Sequence, residues 1–119
     1  MHKTDPETVA VFERLVPDDL RALPGQMFGH PCAFVFGQMF LGTHGRCVVF
    51  RLGEDRAKAL AVPPVTAFEP VAGRPWRDYV QVPYDALAED ALQALAREAL
   101  EFTAKLPPKA AKAPRKSKA

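Results

Sequence analysis

The stretch HPCAFVFGQMFLGTHGRCVVFRL, residues 30–52, restricts the fold more than any other part of the chain. It is dense in aromatic and β-branched residues, and glycines interrupt it at short intervals. Residues 32–36, 39–43 and 46–52 read as strands, each too short for a helix. Gly37-Gln38 and His44-Gly45 stand between them as two-residue turns, with glycine available for the positive φ of a tight hairpin. The expectation is a three-stranded antiparallel meander.

Those turns imply a register. Phe36 would oppose Met39, Phe34 Leu41 and Cys32 Thr43, and across the next turn Leu41 would oppose Val48. Opposed residues share a face and faces alternate along a strand. One face would then collect Cys32, Phe34, Phe36, Met39, Leu41, Val48, Phe50 and Leu52 and pack against helices. The other would collect Ala33, Val35, Phe40, Cys47, Val49 and Arg51. Val35, Phe40 and Val49 are too apolar to leave in water on a monomer, so either a helix crosses this face or it docks a partner or second copy.

The same stretch holds His30, Cys32, His44 and Cys47, two of the three histidines and both cysteines. The spacing H-x-C-x11-H-x2-C lacks the tight C-x2-C knuckle of structural zinc sites. In the expected register Cys32 and Cys47 face opposite sides, which excludes a four-ligand cage and a disulfide. The reading is therefore of small hydrophobic thiols with no metal and no cofactor. A metal- or thiol-dependent activity at these four residues is the alternative.

Around the meander lie helices. In TDPETVAVFERLV, Asp5 is placed to cap and Pro6 suits the first helical position, where its missing N–H costs nothing. Val9, Phe12 and Leu15 follow at helical spacing. Pro24-Gly25 breaks the chain before the strands. EDRAKALA reads as a short helix stopped by Pro63-Pro64. Strands follow near 66–68 and 76–82, and a last helix runs from Asp85 or Asp90 to Lys105 with Leu92, Leu95, Ala99 and Leu100 on its buried stripe. The order α-β-β-β-α-β-β-α, with a five-stranded antiparallel sheet covered mainly on one face, is an α+β fold.

Composition matters for what the chain meets. Residues 1–106 carry eleven Lys and Arg against all fourteen Asp and Glu, net −3. Residues 107–119, PPKAAKAPRKSKA, carry Lys109, Lys112, Arg115, Lys116 and Lys118 and no acid, net +5. The expectation is one folded domain over 1–106 and a disordered basic tail that attracts DNA or RNA phosphates without reading sequence. GRPWRDY adds Arg74, Trp76, Arg77 and Tyr79, a mixture of cations and rings suited to stacking on bases or to an interface, though the plainer reading is a strand edge with Trp76 or Tyr79 in the core and the arginines paired with Asp78 or Glu69. Arg74 and Arg77 join the tail as candidate nucleic-acid contacts, and Val35, Phe40, Val49 and Trp76 are the candidate partner interface. Phosphate-binding glycine loops and the G-x-S-x-G elbow are both absent, so no enzymatic activity is expected. No apolar run is long enough to span a bilayer and the first residues are polar, so a cytoplasmic protein without a membrane is expected.

The ordered marks Met27-Phe28-Gly29, Gly37-Gln38-Met39-Phe40, residues 46–51, Phe68-Glu69-Pro70, Gly73-Arg74-Pro75, Tyr79 with Val82-Pro83, and Leu106-Pro107-Pro108-Lys109 resemble the N-terminal domain of the TfoX/Sxy competence regulators and its stand-alone relatives. The resemblance spans roughly residues 10–109. It implies a two-layer α+β domain with a five-stranded sheet and a non-enzymatic regulatory role that assists transcription, and it carries no catalytic residues. The second domain of the full-length regulators is replaced here by the basic tail.

Overall fold

The computed structural model describes residues 4–106 apart from Phe28 and Ala72, and the backbone alone at Pro70, Val71, Arg74 and Pro75. The expected tail over 107–119 lies outside the described residues. The elements run α1 (Pro6–Leu15), β1 (Leu23–Met27), β2 (His30–Val35), β3 (Gln38–His44), β4 (Cys47–Arg51), α2 (Glu54–Leu60), β5 (Thr66–Val71), β6 (Arg74–Pro83) and α3 (Glu89–Ala104). One antiparallel sheet in the order β1-β2-β3-β4-β6-β5 carries all six strands.

The α+β class holds, but the sheet has six strands, not five. The extra one is β1, where Pro24-Gly25 suggested a break. An edge strand tolerates a proline because one missing N–H need not interrupt the ladder. Gly25 fits for a separate reason: a Cβ there would stand 2.8 Å from the Phe34 ring of β2. The glycine thus lets an aromatic ring lie across the edge strand, and the pair reads out of sequence as a turn.

Both hairpins of the meander turn one residue away from their expected positions. Val35 opposes Gln38, so the first loop is Phe36-Gly37, and both residues have positive φ, +51° and +82°. That is the requirement of the mirror-image turn that matches strand twist. His44 opposes Cys47, so the second loop is Gly45-Arg46, with Gly45 at +61°. A bulge between Ala33 and Phe34 then pairs Phe34 with Met39 but Ala33 with Leu41, leaving Phe40 as the extra residue.

A one-residue slip inverts a strand. Ala33, Val35, Phe40 and Leu41 join Val48, Phe50, Leu52, Val80 and Val82 in the core beneath α1 and α3. Cys32, Phe34, Met39 and Val49 lie on the opposite side. The expected interface therefore fails at three of its four residues: Val35 and Phe40 are fully buried under the helices, and Val49 is 1% exposed. The inversion of β2 and the bulge in β3 moved the first two, while Val49 kept its face and is covered by side chains of the chain itself.

The helices form much as their patterns dictate. Pro6 starts α1, but Asp5 makes no side-chain cap; its carboxylate instead lies 3.7 Å from Arg46 Nη1. Helix α3 buries Leu92, Ala96, Ala99, Leu100 and Thr103. Gly53, at φ +96°, lets the chain turn from β4 into α2 with Phe102 of α3 packed against it; a Cβ would meet that ring at 2.8 Å. Among the described residues no helix is long and apolar enough to cross a membrane.

Candidate functional site: the helix-free face of the sheet

With the helices gathered on one side, the other side of the sheet holds a second, smaller group of packed residues. Cys32, Met39, Val49 and Phe68 are buried there, with Met27, Phe34, Trp76 and Tyr79 partly exposed around them. The β5–β6 hairpin produces this cover. Its register shifts on either side of Phe68, and the resulting curl brings Phe68 of the outermost strand against His44 of β3, with ring centroids 5.6 Å apart. Bulges bend a strand in this way.

The rings form a continuous row. His30 and His44 stand 5.2 Å apart, and Phe68 meets Trp76 edge-on at 5.2 Å. Trp76 meets Tyr79 at 5.1 Å, and Phe68 lies 6.3 Å from Tyr79. These are the edge-to-face and tilted arrangements that ring quadrupoles prefer. Arg51 closes the row, its guanidinium carbon 5.4 Å from the Tyr79 centroid. That cation also donates to Asp78 Oδ2 at 3.1 Å and to Gln38 Oε1 at 3.0 Å, so its plane is fixed. The Tyr79 hydroxyl donates to the Met39 carbonyl at 3.1 Å. At the far end the Thr4 hydroxyl lies 2.8 Å from His30 Nδ1 and 3.0 Å from the Thr43 hydroxyl, which donates to the Pro31 carbonyl.

The observed register also corrects the geometry of the soft residues. Cys32 sits opposite Gly42, Gly42 opposite Val49, and Cys47 is two residues from Val49 on the same strand. By the two-residue period both cysteines share the helix-free face instead of opposing each other. They remain two strands apart, and both are free thiols. Among the described residues no group of three or more His, Cys, Asp or Glu side chains is gathered to hold a metal. Burial pushes the Cys32 thiol up to about 11. Cys47 is also raised by burial, against a smaller opposing pull from Arg46. A nucleophilic cysteine has the reverse character, a thiolate favoured by nearby positive charge. Burial likewise raises the Tyr79 phenol.

The other candidates divide. Trp76 belongs to the row and is half-buried; Arg77 beside it is exposed. For Arg74 only the backbone, at the start of β6, is described. Lys109, Lys112, Arg115, Lys116 and Lys118 lie outside the described residues. Sequence reasoning placed Arg51 on this face with Val49 and Cys47, and missed Phe68, His44 and Met27. GRPWRDY pointed to one end of it, but the hairpin curl that joins Phe68 to His44 depends on strand bulges that carry no composition signal.

Charge is distributed unevenly between the two layers. The six strands hold Arg51, Arg74 and Arg77 against Glu69 and Asp78; the other twelve acids lie in the helices and connections. The domain's negative charge therefore resides away from the sheet, mostly on the helical side.

No family model and no curated protein matches the sequence. Among solved structures the chain is similar to a Deinococcus radiodurans protein, DR2400, described as the crystal structure of a DUF419 domain, with a TM-score of 0.61 over 92% of this chain and 86% of that one. At 16% identity the likeness shows a shared fold.

Proposed function

We propose that this protein is a non-catalytic binding module that holds single-stranded nucleic acid on the helix-free face of its sheet, with the basic tail as a nonspecific tether. The observation that carries the reading is the ring row in which Trp76 and Tyr79 stand partly exposed around buried Phe68, closed by Arg51, with exposed Arg77 next to Trp76 in the chain. Aromatic rings on an open sheet offer stacking surfaces for unpaired bases, each stacked base contributing about 1–3 kcal/mol, and arginines add phosphate and cation–π contacts. The uneven charge favours the same face, because a polyanion is repelled by the acidic helical layer. The TfoX/Sxy resemblance supports a role beside nucleic acid in gene regulation. The thiol alternative at His30, Cys32, His44 and Cys47 is disfavoured by the upward pKa of both cysteines.

Trp76 is the single tryptophan of the chain, which makes it a reporter. Titrating the full chain with a labelled single strand and with the matching duplex, while following label anisotropy and tryptophan emission, tests the reading. The single strand is expected to quench Trp76 and bind more tightly than the duplex. Tyr79→Ala is expected to weaken single-strand binding by roughly tenfold, the loss of about one stacked base. Replacing the five tail cations by glutamine is expected to flatten the salt dependence by about 0.7 per lost phosphate contact. Anisotropy without any change in Trp76 emission, abolished by the tail variant, would leave the tail as the sole contact and end the role of the face.

A further inference from the structure

The two edges of the sheet are built differently, and the difference has a use. Edge strands expose unpaired main-chain groups, and proteins guard them with charge, proline and bulges. β5, Thr66–Val71, has all three: Glu69, Pro70 and two shifts of register. β1, LPGQM, pairs with β2 in unbroken register, carries no charged residue, and is exposed over its first four residues. Pro24 is its single guard.

Apolar side chains crowd the unguarded edge. Of the four large hydrophobics left exposed among the described residues, Leu20 (99%), Leu23 (57%) and Phe36 (54%) lie toward the first end of β1. Leu23 opposes Phe34, two residues before Phe36, and Leu20 leads into β1 three residues earlier. Leu20 is held outward by a pinned segment: Asp19 accepts from Arg21 at 2.8 Å and from Arg97 at 3.2 Å, and Arg21 also reaches Glu101 at 2.9 Å. These pairs neutralise one another, so no unbalanced charge repels an approaching surface there. Phe36 adds a second kind of observation. It is the one non-glycine residue with positive φ among the described residues, a left-handed conformation that costs a bulky side chain of order 1–3 kcal/mol. Its ring recovers little of that by burial within the monomer.

We infer that β1 is a dimer edge: a second copy of this chain pairs its own β1 antiparallel to the first across a twofold axis, and each copy covers the corner formed by Leu20, Leu23 and Phe36. Antiparallel pairing of one edge with itself is self-complementary, as a twofold interface must be. Leu20, Leu23 and Phe36 leave roughly 400 Å² in water, the scale of a functional patch. That is about half of the ~800 Å² per partner of a standard interface, and exposed Pro24, Gly25 and Gln26 of β1 lie beside it. The inference is independent of nucleic acid and is tested without it.

Sedimentation equilibrium of the full chain, from micromolar to near-millimolar concentration, is the experiment. A dimer is expected, with Gln26 amide exchange slowing as concentration rises. Leu23→Lys and Phe36→Gly are each expected to weaken it by roughly tenfold, the loss of one buried anchor. Phe36→Gly separates the dimer from the fold, because glycine relieves the positive φ and the urea midpoint is expected to stay or rise. Val62→Lys, an exposed apolar site in the α2–β5 connection, is expected to leave the dimer unchanged. A chain that stays monomeric throughout, or a dimer indifferent to both Leu23→Lys and Phe36→Gly, would overturn the inference.

Discussion

Both faces of this sheet carry apolar side chains, and the two are finished in different ways. Under α1 and α3, Phe40, Leu41, Val48, Phe50, Val80 and Val82 are sealed from water by a continuous helical layer. On the other face no helix arrives, and a curled hairpin brings Phe68, Trp76 and Tyr79 over Val49 and Cys32. The first is a core and the second is a core with a partly open side. The presence of apolar residues therefore does not by itself tell a sealed face from a partly open one. What distinguishes them is whether a cover is complete, and that depends on which elements the topology brings across.

The comparison breaks most visibly by truncating one ring on each face. Phe40→Ala is expected to cost about 3–5 kcal/mol, since the helical layer holds the cavity open. Phe68→Ala should cost less, about 1–3 kcal/mol, because the curled hairpin can settle or admit water. Urea unfolding of both variants checks the order, and equal costs would mean that the hairpin is as rigid a lid as the helices.

Next in size is the close approach that seats α3 on the helical side. Gly53→Ala places a Cβ 2.8 Å from the Phe102 ring at a backbone φ of +96°, and it should lose about 2–3 kcal/mol in the same assay. On the open side, Tyr79→Phe removes the hydrogen bond to the Met39 carbonyl and should lose about 1 kcal/mol.

The last effect is alkaline. Cys32 holds its proton to about pH 11 when folded, against an ordinary value of 9.0, because burial disfavours the thiolate. Between those values the unfolded chain has lost a proton that the folded chain keeps, so stability is full below pH 9 and falls as pH rises toward 11. Cys47 and Tyr79 are raised by the same cause and add the same sign. Urea midpoints at pH 8 and pH 10.5 should show the fall, and Cys32→Ala should make it shallower. Reaction of native protein with a thiol reagent at neutral pH should be slow for the same reason.

Much of the fold was legible before any coordinates. Helix α1 announced itself through Pro6 and its apolar spacing, α3 through its stripe, and the meander through three apolar runs punctuated by glycine. β4 kept its expected face: Val48, Phe50 and Leu52 point to the helices and Val49 away. β2 did not, because Gly37 is the second residue of its turn and not the first, with Phe36 accepting the other left-handed position. Nothing in a phenylalanine advertises that conformation. β1 was hidden by Pro24-Gly25, residues that signal a turn locally and an edge strand only beside the Phe34 ring. Of the helix-free site, Trp76 and Arg77 were legible as a suggestive cluster, while Phe68 and His44 are 24 residues apart in sequence and meet only through the curl of β5–β6.

By itself, then, the sequence determined eight of the nine elements with their approximate limits, the α+β class and the division between an acidic body and a basic tail. These follow from local propensity, periodicity and charge, which act over a few residues. The tertiary structure decided the hairpin registers, the bulge at Phe40, the sixth strand and therefore which residues face the helices and which face outward. Those choices differ by a single residue step. Local propensity scarcely separates such alternatives, and only the packing of the whole sheet against its helices makes one of them lowest in free energy.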